Sequence, residues 1–153
     1  MQHYALMQLP GIDHLGDRVT SPVLAKQTAS VSRQLGSGQV LSETFGCAGW
    51  GVTFARLSWI WGRQTALGIT KPCFHLAAYS MEGRRKRDYP AFFSYQEPWW
   101  GVFPAFMEWM ERNDRLMSEG ERLCRVLVLS PIVDMIGDYR EAAGDRRDII
   151  RTS

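Results

Sequence analysis

Residues 39–78 read QVLSETFGCAGWGVTFARLSWIWGRQTALGITKPCFHLAA. The short apolar run Gln39-Val40-Leu41-Ser42 predicts a strand with Glu43 at its end. After a loop bearing Gly and Trp, Phe54, Leu57, Trp61 and Leu67 fall roughly on one face of a helix that starts near Thr53. Gly68 closes that helix. Cys73–Ala78 is the next apolar run and predicts a second strand, with His75 inside it and Tyr79 at its exit. Strand, helix and strand joined by short connections argue for parallel pairing through a right-handed crossover.

The same pattern extends to both sides. Upstream, His3–Leu9 predicts a strand ended by the turn Pro10-Gly11. The loop from Gly11 to Thr20 holds Asp13, His14 and Asp17. Ser21-Pro22 is a helix start, a capping hydroxyl followed by proline at the first helical position. Leu24, Thr28, Val31 and Leu35 repeat at helical spacing, and Gly36 supplies a stop. Downstream, a long loop from Ser80 to about Gly101 precedes a helix marked by Phe103, Phe106, Met107 and Met110 that runs to about Glu119. Val126–Leu129 predicts a buried strand, and the tail from Gly137 is polar. The expected class is α/β, as an open doubly wound sheet or as part of a barrel. A complete (β/α)8 barrel takes roughly 250 residues, so on the barrel reading these 153 residues are a part of one. No GxGxxG or P-loop follows a predicted strand, which argues against a nucleotide-binding open sheet.

Composition narrows the function classes. A net charge of +2 gives no general reason to expect nucleic acid or an anionic membrane as partner. No apolar run reaches transmembrane length, and Met1-Gln2-His3-Tyr4 lacks the basic start of a signal peptide. Three cysteines, Cys47, Cys73 and Cys124, make no CxxC pair, so neither a disulfide framework nor a zinc site is indicated. The aromatic content stands out. Six Trp, five Tyr and seven Phe concentrate between Trp50 and Trp109. Clustered rings build cores, and beside polar groups they also line sugar sites.

The polar residues fall where predicted strands end, which is the ligand side of α/β folds. Glu43 is the leading carboxylate. Glycoside hydrolysis uses two, one as acid and one as base or nucleophile; a structural glutamate is the other reading of its position. Asp13 and His14 are candidates to bind substrate hydroxyls, hold a metal or tune Glu43; the other reading is a turn stabilised by Asp13. His75 is a ligand-side imidazole or a core residue, and Tyr79 a strand cap or a sugar contact. Gly83-Arg84-Arg85-Lys86-Arg87-Asp88 is one short basic run and reads as a solvated loop, or as arginines pairing with carboxylates near the site. Adjacent Trp99 and Trp100 cannot both face one core direction in a regular helix. Either ring forms a pocket wall or plugs the base of the next helix.

Three stretches together, Pro10–Gly16 (PGIDHLG), Ser42–Trp50 (SETFGCAGW) and the run from His75 through Arg85-Lys86-Arg87-Asp88-Tyr89-Pro90 to Pro98-Trp99-Trp100, resemble the bacterial glycoside hydrolases of family 106, the α-L-rhamnosidase-like proteins. The likeness runs colinearly over roughly residues 3–135. It implies a (β/α)8 catalytic barrel, of which residues 1–122 would be the last three βα units, followed over 123–153 by the first strand of a further α/β domain and a polar tail. It further implies inverting cleavage of terminal α-L-rhamnosides, with calcium assisting. Carried over on the matching positions, Glu43 is catalytic and Asp13, His14, His75, Tyr79, Trp99 and Trp100 are substrate-side residues; no calcium ligand is placed. The sequence departs from the family near Gly51, where relatives commonly carry an acid, and it lacks the other five strands. The implied partners are a carbohydrate substrate and the remainder of the barrel, and the chain alone is expected to be inactive. The alternative is a non-catalytic carbohydrate-binding or remnant barrel piece.

Overall fold

Parallel strands need crossovers, and the chain supplies two. β1 (Gly11–Leu15), α1 (Val23–Leu35), β2 (Leu41–Gly46), α2 (Phe54–Leu67) and β3 (Lys71–Phe74) follow one another, and α3 (Phe103–Ser118) comes after a long connection. The structure is a computed structural model that describes residues 2–16, 21–35, 38–87, 89–119 and 123–129. Its three strands form one parallel sheet in the order β1-β2-β3. The architecture is therefore mixed α/β with a small parallel sheet. The expected helix stop at Gly36, residues 17–20 and the polar tail lie outside the described residues.

The helix signals hold. Ser21 Oγ accepts the Val23 amide at 3.3 Å, and the Lys26 amide bonds the Pro22 carbonyl at 2.9 Å. Thr53 caps α2 by accepting the Arg56 amide at 3.2 Å. Gly68 ends α2 in the left-handed conformation, φ 108°. That glycine has a second reason. A Cβ there would stand 2.7 Å from the Ala29 Cβ of α1, so its absence lets the two elements close up. The buried side of α1 is accordingly its small face, Ala25, Thr28, Ala29 and Ser32, while Leu24 and Leu35 of the apolar repeat are exposed. Close approach selects small side chains where burial volume alone would select leucine.

The strands are displaced from the apolar runs. His3–Leu9 is not a strand; Gln2–Leu6 forms a 3-10 turn, and the first strand begins after Pro10, so Asp13 and His14 lie on β1 and not in a loop. Glu43 is the third residue of β2, not its terminus. β3 starts at Lys71, and His75 follows it directly. The inward face of β2 is polar: Ser42 and Thr44 are buried, and Thr44 Oγ1 accepts Gln64 Nε2 of α2 at 2.9 Å. A buried hydroxyl is tolerated because it is hydrogen-bonded, which is why an apolar-run criterion misplaces this strand.

All three helices enter one core with Ile12 of β1, Phe45 of β2 and Phe74 of β3. Leu57, Ile60 and Trp61 are its α2 contribution, each worth about 1.5–3 kcal/mol of burial before entropy is counted. At the outer edge, Lys71 and His75 donate their amides inward to the Val40 and Thr44 carbonyls at 2.9 and 3.0 Å. By alternation, position 72 points its nitrogen outward. Proline stands there, so β3 exposes one amide fewer to edge pairing.

The chain divides into the units Met1–Gly120 and Glu121–Ser153. In the second, residues 123–129 have no regular secondary structure, and Leu123 and Val126 to Leu129 are exposed. The strand expected over Val126–Leu129 is thus not formed; an apolar run makes a strand only where a neighbouring strand completes its ladder.

Candidate functional site

Register decides which side chains share a face. Asp13 pairs with Glu43, and Glu43 with Cys73, across the three strands. Side chains alternate along a strand, and Ile12, Ser42, Thr44 and Phe74 occupy the helix-packed face. Asp13, Glu43 and Cys73 therefore form one row on the opposite face. Asp13 and Cys73 are exposed there, and the Glu43 side chain keeps 44% of its surface. His75, two residues beyond Cys73, returns to this side. Its Nε2 lies 3.8 Å from Glu43 Oε1, an ion-pair distance for a protonated imidazole, and the side chain is only 15% exposed. Its Nδ1 is buried without a hydrogen-bond partner among the described residues.

The backbone is unusual at the same rim. The register shifts between Asp13 and Leu15, which pairs with Gly46. Opposite that irregularity Phe45 has φ 71° and Cys47 φ 59°. Simple alternation would place Phe45 beside Glu43 on the open face. The bulge turns it instead into the core, against Phe74 at 5.3 Å and Phe93 at 5.6 Å. Gly46 then lets the layers meet: a Cβ there would be 3.0 Å from both His75 Cγ and Leu15 Cδ2. Among the described residues, the third non-glycine residue with left-handed φ is Tyr89, at 50°, and its ring meets that of His75 at 5.6 Å and 88°. Such conformations cost of order 1–3 kcal/mol each and cluster at functional sites.

The structure thus brings together Glu43, Asp13 and His75. It does not bring in the other expected residues. His14 is turned by alternation away from Asp13, and its ring nitrogens are shut off from solvent. Tyr79 is 96% exposed, too far into solvent to line a pocket. Trp99 packs on Phe54, Phe93 and Phe103, and Trp100 stacks on Phe103 at 5.0 Å. Both plug the start of α3, where Trp100, Phe103, Pro104, Met107, Glu108 and Glu111 line a surface groove. Sequence reading passed over Cys73, Gly46 and Tyr89. Correct strand register would have found the first two; nothing local marks Tyr89.

Among the described residues no group of three or more His, Cys, Asp or Glu side chains is placed to hold a metal ion. Cys47 and Cys73 are free and exposed. No described helix is long and apolar enough to cross a membrane. Comparison with models of known families, with curated proteins and with solved structures finds no match to this chain.

Proposed function

We propose that this chain is part of a sugar-hydrolysing (β/α)8 barrel of the α-L-rhamnosidase-like kind, with Glu43 as a catalytic carboxylate. One observation carries the reading. Glu43 lies on the face of a parallel sheet opposite its three described α-helices, in register with Asp13 and 3.8 Å from the His75 imidazole. A sheet in sequential strand order whose three described α-helices share one core is compatible with an arc of such a barrel, and the opposite face of the sheet would then line its interior. Glu43 then acts as general base toward water, or as the acid in the opposite assignment.

Asp13 is not the second catalytic acid on this reading. Asp13 holds substrate hydroxyls, and the partner carboxylate belongs to strands supplied by the remainder of the barrel. The chain alone binds sugar and does not hydrolyse it. The test is a titration of the purified chain with methyl α-L-rhamnoside, beside a hydrolysis assay on an aryl α-L-rhamnoside. Saturable binding is expected, weakened at least roughly tenfold by Glu43→Ala, as for loss of a hydrogen bond to a charged group. Unchanged binding by that variant removes Glu43 from the site, and hydrolysis by the chain alone contradicts the missing partner.

A second reading, a non-catalytic carbohydrate-binding piece, draws on the Trp100 groove, where an aromatic ring neighbours the carboxylates of Glu108 and Glu111. It places the sugar on α3 and leaves the sheet face empty.

A further inference from the structure

Tyr89 belongs to no predicted site, yet it is the one described aromatic whose ring touches His75. Its surroundings explain how it is held. The Pro90 carbonyl accepts the Gly49 amide at 2.9 Å, which ties the segment to the loop after β2. Ala91, Phe92 and Phe93 are buried, and Phe93 donates its amide to the Leu76 carbonyl at 2.9 Å. Phe92 meets Trp50 edge-on at 5.3 Å, and its amide is held by the buried Glu97 carboxylate at 3.1 Å. Anchors on both sides of the connection thus fix residues 90–97, and Tyr89 is the residue immediately before them.

Two features of Tyr89 are costly for stability alone. Its φ of 50° is uncommon for a bulky residue. Its side chain remains 52% exposed, so little burial offsets the strain. A residue selected for the fold at such a position would be Gly, Asn or Asp. What the conformation achieves is placement: a half-open aromatic ring against His75, which in turn adjoins Glu43.

We propose that Tyr89 is the aromatic wall of this site, its ring taking the apolar C–H face of a neutral pyranose whose hydroxyls are held by Glu43 and His75. The proposal rests on the carbohydrate reading of the site. It replaces Tyr79, which is in solvent, and Trp99 and Trp100, which serve the base of α3, as the ring that meets the sugar.

The test uses the full 153-residue chain with methyl α-L-rhamnoside as probe, following affinity by calorimetry and Tm by circular dichroism. Tyr89→Asn keeps a residue suited to the left-handed backbone and removes the ring. The expected result is a Kd raised roughly three- to tenfold, the range of one aromatic contact, with Tm unchanged or higher. Tyr89→Phe should bind within about twofold of wild type, because the ring and not the hydroxyl makes the contact. Wild-type affinity in Tyr89→Asn, with Glu43→Ala still defective, overturns the Tyr89 assignment and leaves the carbohydrate reading standing. A Tm several degrees lower in Tyr89→Asn overturns it too, since that marks a structural ring. Absence of saturable binding in the wild type overturns both.

Discussion

Gly46→Ala puts a methyl group where the sheet rim has no room. The new Cβ would stand 3.0 Å from His75 Cγ, 3.0 Å from Leu15 Cδ2 and 3.2 Å from His75 Cβ. Carbon atoms at optimal contact are about 3.5–4.0 Å apart, so each neighbour must retreat by roughly half an ångström. The Leu15 methyl ends a half-exposed side chain and can swing aside, but the other two contacts are to the base of the His75 ring, whose side chain is 15% exposed. Overpacking of this kind costs about 1–3 kcal/mol. Against it stands the reduced freedom of the unfolded chain, which stabilises a Gly→Ala variant by about 0.4–1 kcal/mol where the backbone permits alanine. The steric term wins, and the expected net loss is about 1–2 kcal/mol. Urea denaturation followed by tryptophan fluorescence measures it as a lower midpoint at constant m. The retreat also moves His75 relative to Glu43, so sugar affinity should fall with stability. Adding Leu15→Ala removes one of the two obstacles and should recover part of the loss, read as coupling in a double-mutant cycle. A Gly46→Ala chain as stable as wild type, or more so, refutes the claim that this glycine sets the spacing at the rim.

Gly62 lies inside α2, has no described atom outside its own helix backbone within 4 Å of its would-be Cβ and no left-handed φ, so Gly62→Ala should raise stability by about 0.5–1 kcal/mol in the same assay. A loss there would mean that α2 is packed on its open side. Glu97→Ala strands the buried Phe92 amide and should cost about 1–3 kcal/mol. Glu97→Gln keeps an acceptor oxygen and should cost less; equal losses would show that charge, not acceptance, matters.

What the sequence makes legible follows from which forces are local. Caps are local, so the start at Ser21-Pro22 and the stop at Gly68 read correctly. α2 also reads correctly, since Leu57 and Trp61 are large, apolar and buried. The buried face of α1 does not, because contact with Gly68 selects Ala29 over a leucine, and that is visible only in three dimensions. Strand limits fail for a related reason: Ser42 and Thr44 are inside the fold yet polar, made acceptable by partners such as Gln64 that lie twenty residues away. The site inherits that error. Glu43 and His75 were found as isolated residues, but their proximity, and the row they share with Asp13 and Cys73, is a property of register. Tyr79 at a strand exit and the adjacent Trp99 and Trp100 are conspicuous in the sequence, whereas Tyr89 meets His75 only because the segment after it is anchored elsewhere.

The most direct measurement is a chemical-shift map of the 15N-labelled chain titrated with methyl α-L-rhamnoside. The account predicts perturbed amides at Asp13, Glu43–Cys47, Cys73–His75 and Tyr89, converging on the sheet face opposite the described α-helices. Perturbations confined to Trp100–Glu111 on α3, or none at saturating sugar, would contradict it.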